Sequence, residues 1–134
     1  MATRATITTD LEYARRNGIV DAARDAAQGI PLALLLAVGS RESGLGRKLG
    51  PGCKHPGGEH GVWGIHPRWH RAFTSRASPC NHSANANYAA GLLAEEYRRF
   101  GDWRHAAAAF NAGPDDVERA LREGRDPDVY TTGG

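Results

Sequence analysis

The chain has 134 residues, enough for one domain with a single substantial core. Its 40% hydrophobic and 24% charged content is that of an ordinary globular fold, and a net charge of +2, carried mostly by dispersed arginines, is too small to argue for a nucleic-acid partner, so none is expected. No run approaches the ~18 apolar residues of a membrane span, so membrane insertion is not expected.

Asp10 is placed to cap a helix running to about Gln28, with Leu11, Ala14, Ile19, Ala22 and Ala26 roughly on one side. Gly29 breaks it. Pro31 then opens an apolar helix, Leu34 to Val38, that closes on Glu42 and stops at Gly44 and Gly46. Residues 44–66 are rich in Gly and carry Pro51 and Pro56, so they read as a loop region with room for a short hairpin. Pro67 can open a short helix through Trp69, Arg71 and Phe73. A polar lead-in at Asn81 precedes a long helix from about Asn85 to Phe100, with Tyr88, Leu92, Leu93 and Tyr97 at helical spacing. Asp102 caps the segment containing Ala106 to Ala109, which Gly113 ends. Pro114 opens a last helix through Val117 and Leu121 that ends near Gly124. The expected fold class is mainly α, with one long irregular insert after the Glu-bearing helix. Met1 to Asp10 lacks the charged start and apolar core of a secretory signal, and Tyr130 to Gly134 ends abruptly. The expectation is a single domain, 1–134, excised from a longer protein.

Glu42 is the most informative residue. An apolar helix delivers one carboxyl to its own C-terminal edge, where burial and the negative end of the helix dipole both favour the protonated form. A carboxyl held protonated near neutral pH is what general-acid cleavage of a glycosidic bond requires. A plain ion pair with Arg41 or Arg47 is the competing reading.

Cys53 and Cys80 leave three alternatives open: a single disulfide, free thiols, or a structural zinc built with His55 and His82. The one-residue gap within Cys53-Lys54-His55 and within Cys80-Asn81-His82 is tighter than usual zinc spacing. His66 and His70 have the spacing of a helical metal pair but lack the accompanying Glu of the peptidase motif.

Four stretches in order set Glu42 in context: Glu42-Ser43-Gly44, Gly61-Val62-Trp63-Gly64-Ile65-His66-Pro67, Asn87-Tyr88-Ala89-Ala90-Gly91 and Ala109-Phe110-Asn111-Ala112-Gly113-Pro114. The set resembles the soluble lytic transglycosylase domain, a relative of goose-type lysozyme in the lysozyme-like superfamily. The family pattern reads roughly E-S, G-L-M-Q-I, N-I-x-x-G and A-Y-N-A-G-P. The resemblance covers the chain from about residue 30 onward, and it implies a lysozyme-like helical fold acting on peptidoglycan glycan strands.

The resemblance also implies residue roles. Glu42 matches the single catalytic acid, which would protonate the oxygen between N-acetylmuramic acid and N-acetylglucosamine. It would then act as base on the muramyl 6-hydroxyl and leave a 1,6-anhydro end. Ser43 matches the serine beside that acid. Gly61, Val62 and Ile65 match the cleft wall. Independently of the resemblance, flat apolar sugar faces favour aromatic platforms, and Trp63 and Trp69 lie near the cleft, with ordinary core as the alternative for each. Tyr88, Phe110 and Asn111 fall in the two later motifs as substrate-binding positions. The pattern's Gln is Gly64 here, its Tyr is Phe110, and a C-terminal cleft Tyr has no good match, since Tyr130 fits that place poorly.

Goose-type lysozymes carry Asp where this chain has His66. An inverting hydrolase needs a second carboxylate ~6.5 to 9.5 Å from the acid; Glu59, with His60 and His66, is the local candidate for positioning water, against the commoner reading of a solvated loop Glu. Non-hydrolytic cleavage is therefore the expectation, without a cofactor, by a monomer working on the wall side of the cell. The rivals are a goose-type muramidase, a non-catalytic wall-binding module and a zinc-dependent wall amidase or peptidase. A phage endolysin or tail-associated lysin would supply the larger protein.

Overall fold

The computed structural model describes residues 4–127; Tyr130 and the run Thr131 to Gly134 lie outside the described residues. The described residues form seven α-helices: α1 (Arg4–Arg16), α2 (Ile19–Ala26), α3 (Leu32–Ser43), α4 (Arg71–Thr74), α5 (His82–Phe100), α6 (Trp103–Ala112) and α7 (Pro114–Arg122). The chain divides into two units, 2–90 and 91–134, and α5 passes from one into the other.

In the 2–90 unit, the helix expected from Asp10 to Gln28 is two helices. Gly18 adopts φ 73° between them, and the Asn17 amide donates to the Tyr13 carbonyl at 2.8 Å, closing α1. The break does not scatter the apolar face: Ala14, Ile19, Ala22 and Ala26 are all buried. Asp10 is not a cap. It sits inside α1, almost wholly buried, and accepts hydrogen bonds from Ser40 Oγ at 2.7 Å and Arg47 Nε at 3.0 Å. A buried carboxylate needs such partners, and these two tie α1 to the end of α3 and the turn beyond it.

α3 begins behind Pro31, whose φ of −57° suits a helix start and whose carbonyl accepts from Leu34 and Leu35. It ends at Gly44, in the left-handed region at φ 61°, with the Gly44 N–H returning to the Ser40 carbonyl. Gly39 makes room on this helix for Trp63. A Cβ there would come within 2.9 Å of Leu45 and 3.1 Å of the indole. Trp63 is fully buried across that gap and donates its indole N–H to the Leu35 carbonyl at 2.8 Å.

The insert after α3 is irregular but ordered by backbone bonds. Isolated antiparallel bridges pair Lys54 with His60 and His60 with Ile65, so the anticipated hairpin is a tight meander. Asn85, buried on α5, accepts from the Trp63 N–H at 2.8 Å and donates to the His60 carbonyl at 3.0 Å. Cys53 and Cys80 form a disulfide, joining the start of the meander to the approach to α5. This removes both thiols from the zinc alternative, and no cluster of three metal-binding side chains occurs among the described residues.

In the 91–134 unit, Ala108, Ala109 and Val117 form a small core with Phe100 packed against it. Asp102 caps α6 as expected, accepting from the His105 N–H at 3.1 Å. Tyr97 and Trp103 stack with ring centroids 3.9 Å apart, and Arg99 pairs with Glu118 at 3.0 Å. No described helix is long and apolar enough to cross a membrane.

Candidate active site

Glu42 lies on the last turn of α3, partly buried, with the meander folded against it. Burial pushes its carboxyl above the ordinary range. Positive charge on His55 and on Arg41 pulls it back, and the negative charge of Glu59 pushes it up again. The ion-pair reading of Glu42 is therefore incomplete. Arg41 acts on the acid, but desolvation is the larger effect, while Arg47 is spent on Asp10.

Gly64 of the wall faces the acid. Gly64 has φ 66°, and a Cβ built on it would stand 3.0 Å from Glu42 Oε2 and 3.4 Å from His55 Cε1. Gly61 is confined on its other side, since a Cβ there would meet the Asn85 amide at 2.5 Å. The turn Gly61 to Gly64 is thus pressed between α5 and the acid, and closed by a bond from the Gly64 N–H to the Gly61 carbonyl at 3.1 Å.

Ser43 is buried and its hydroxyl is fully used. It donates to the Val62 carbonyl at 2.7 Å and accepts from the Gly46 N–H at 2.9 Å. Ser43, which the resemblance matches to the serine beside the acid, is a clamp between α3 and the wall turn. Val62, Trp63 and Ile65 are also inside, at 0%, 0% and 2% exposure, so their side chains hold the wall from behind. A buried indole cannot stack on a sugar, and Trp63 is corrected from platform to core. Trp69 is the opposite case, 70% exposed with the Arg68 guanidinium 4.9 Å from its ring.

Of the three water-positioning candidates, two come together. Glu59 Oε1 lies 4.0 Å from His66 Nε2. His66 Nδ1 accepts from the Arg68 N–H at 3.0 Å, which leaves the proton of the neutral ring on Nε2, facing Glu59. His60 is apart from this pair. Its Nδ1 is buried without a hydrogen-bond partner, and burial and then Lys54 push its charging to lower pH.

Tyr88 is half-buried on α5, stacked on Phe73 at 4.1 Å, with its hydroxyl 2.7 Å from His70 Nδ1. Burial and the nearby His66 disfavour charge on His70. Phe110 and Asn111 belong to the 91–134 unit, on the last turn of α6. His82, the other imidazole of the zinc alternative, is half-buried near the start of α5, and burial likewise disfavours its charge.

Sequence reasoning missed one neighbour of the acid. In the sequence His55 stands out only as a metal-ligand candidate. It starts the tight turn His55-Pro56-Gly57-Gly58, closed by a bond from the Gly58 N–H to its own carbonyl, and donates Nε2–H to the Gly61 carbonyl at 2.8 Å. The Pro-Gly-Gly signal, taken as a reversal, could have brought His55 opposite Gly61.

No curated protein matches the chain, and no solved structure matches it. The family model described as "Transglycosylase SLT domain" matches residues 21–131, which takes in Glu42, the wall turn and both later motifs. Members of that family are peptidoglycan lytic transglycosylases, enzymes that cleave glycan strands of the cell wall, and this chain belongs to it.

Proposed function

We propose that the domain cleaves the β-1,4 bond between N-acetylmuramic acid and N-acetylglucosamine with Glu42 as its one acid and base. Glu42 gives its proton to the glycosidic oxygen as the bond to the muramyl C1 breaks. The resulting carboxylate takes the proton of the muramyl 6-hydroxyl, whose oxygen closes on C1. The product is a 1,6-anhydro end, no water is consumed, and the acid is restored. The observation that carries this reading is the Glu42 carboxyl itself, whose hold on its proton burial strengthens, facing Gly64, a residue with no side chain.

The exposed Trp69 supplies an aromatic face for a sugar ring. Tyr88 serves through its position beside His70. The sugar-binding roles of Phe110 and Asn111 rest on the Ala109 to Pro114 motif alone. Wall-side action by a peptidoglycan enzyme fits a chain with no membrane-spanning helix among its described residues.

A second reading has one observation in its favour. Glu59 acts electrostatically on Glu42 and faces the Nε2 of His66, so a water held there would meet a carboxylate able to activate it. That arrangement would give a hydrolytic muramidase. Mass spectrometry of released muropeptides decides between them, since hydrolysis leaves a reducing muramic acid, heavier than the anhydro form by the one water added.

A further inference from the structure

We propose that His55 is a positioning residue for Glu42: its imidazole borders the gap that the missing side chain of Gly64 leaves beside the acid, and it fastens the wall turn next to Glu42. The proposal rests on the assignment of Glu42 as the acid.

The geometry has three parts. First, one point joins the two groups. The position a Gly64 Cβ would take is 3.0 Å from Glu42 Oε2, 3.4 Å from His55 Cε1 and 3.5 Å from His55 Nε2. A side chain at 64 would emerge between acid and imidazole; with glycine there, the ring and the carboxyl approach the same gap. The family pattern puts a Gln at this position; here the nearest side chain to that gap besides Glu42 is the His55 ring.

Second, the ring is fixed. A carbonyl only accepts, so the 2.8 Å contact to Gly61 O requires Nε2 to carry the proton. The His55 N–H is held as well, by the Glu59 carbonyl at 2.9 Å. Gly61 in turn donates its N–H to the Cys53 carbonyl at 2.8 Å. The ring therefore ties the start of the meander to the wall turn, and the disulfide at Cys53 anchors the near end.

Third, the charges converge. The charged groups acting on Glu42 are Arg41 from its own helix and His55 and Glu59 from the meander. Of the two that pull the Glu42 proton off, His55 acts more strongly than Arg41. Positive charge on His55 favours the carboxylate form of Glu42, which is the form needed for the second half of the reaction.

The test uses His55→Gln and His55→Leu in the full chain, with Glu42→Gln beside them, assayed on purified peptidoglycan across pH. Gln can still donate to the Gly61 carbonyl but has no charge. Its kcat/KM at the optimum should fall only about threefold, while the alkaline limb of the profile moves up by roughly half a unit to one unit, because an acid without a cation beside it keeps its proton longer. Leu has neither donor nor charge and should lose about tenfold or more in kcat with KM little changed, the scale of a displaced catalytic group. Thermal melting of each variant separates loss of position from loss of fold: Leu at a wild-type melting temperature with tenfold lower kcat supports the proposal. If Glu42→Gln is inactive and neither His55 variant moves the limb or kcat, His55 has no positioning role and the acid assignment stands. If Glu42→Gln is as active as wild type, the acid assignment falls and the role of His55 with it.

Discussion

The hydroxyl of Ser43 donates to the carbonyl of Val62 across 2.7 Å, and this bond joins the end of the acid-bearing helix to the wall turn facing the acid. It is buried, so its loss leaves a carbonyl and the Gly46 N–H without a partner. Ser43→Ala should therefore cost about 1–3 kcal/mol, the range for an orphaned buried polar group. Denaturant melts measure the cost, and kinetics on peptidoglycan should show an unchanged KM. A raised KM at unchanged stability would instead mean that Ser43 touches the sugar.

Gly64→Ala tests the wall itself. At φ 66° an alanine costs about 1–2 kcal/mol in backbone strain, and its Cβ would crowd Glu42 Oε2 at 3.0 Å. Activity should drop by about tenfold or more from the displaced acid. Gly58→Ala is the control, with φ 96° but nothing within 4 Å of the added Cβ. It should share the strain and keep the rate. Equal losses in the two variants would show that strain alone matters.

Burial raises the Glu42 carboxyl above its ordinary value of 4.5. The folded protein thus holds this proton more tightly than the unfolded chain. Stability from that proton is full below the unfolded value and is lost as pH rises through the folded value. Glu42→Gln removes the buried charge, so it should raise the melting temperature at pH 7 and change it little at pH 4. A wild-type advantage at pH 7 would mean that the carboxylate is well paired, against the burial account.

The disulfide encloses the meander, the wall turn and α4, a span of 27 positions from Cys53 to Cys80. Closing a loop of that length stabilises by about 3–4 kcal/mol on the chain-entropy account. Reduction, or Cys53→Ser with Cys80→Ser, should lower the melting temperature accordingly and reduce cleavage more than helical circular dichroism at 25 °C, since most of the bridged segment is not helix. Circular dichroism and turbidity clearing, with and without reductant, measure both. Identical behaviour with and without the bridge would remove this role.

The helices were legible because their signals are local. Pro31 and Gly44 bound α3, Asp102 and Gly113 bound α6, and Pro114 starts α7. Asp10 misled because a helix-capping residue type can equally be a buried acceptor, and only the fold brings Ser40 and Arg47 to it. Glu42 was legible because an apolar helix ends on it. The rest of its surroundings was not, since exposure decides what an aromatic or a serine does. Trp63 and Trp69 are six residues apart, yet one is wholly buried and the other open to solvent. The proximity of His55 depends on a turn and on a side chain that Gly64 lacks, and neither produces a periodic pattern.

The central claim is that one acid, Glu42, cleaves the glycan strand by using the muramyl hydroxyl in place of water. Mass spectrometry of muropeptides released from purified peptidoglycan by the wild type and by Glu42→Gln tests it directly. The account predicts 1,6-anhydro-muramyl ends from the wild type and no release by a folded Glu42→Gln variant. Reducing muramic acid ends from the wild type, or release by Glu42→Gln at the wild-type rate, would contradict it.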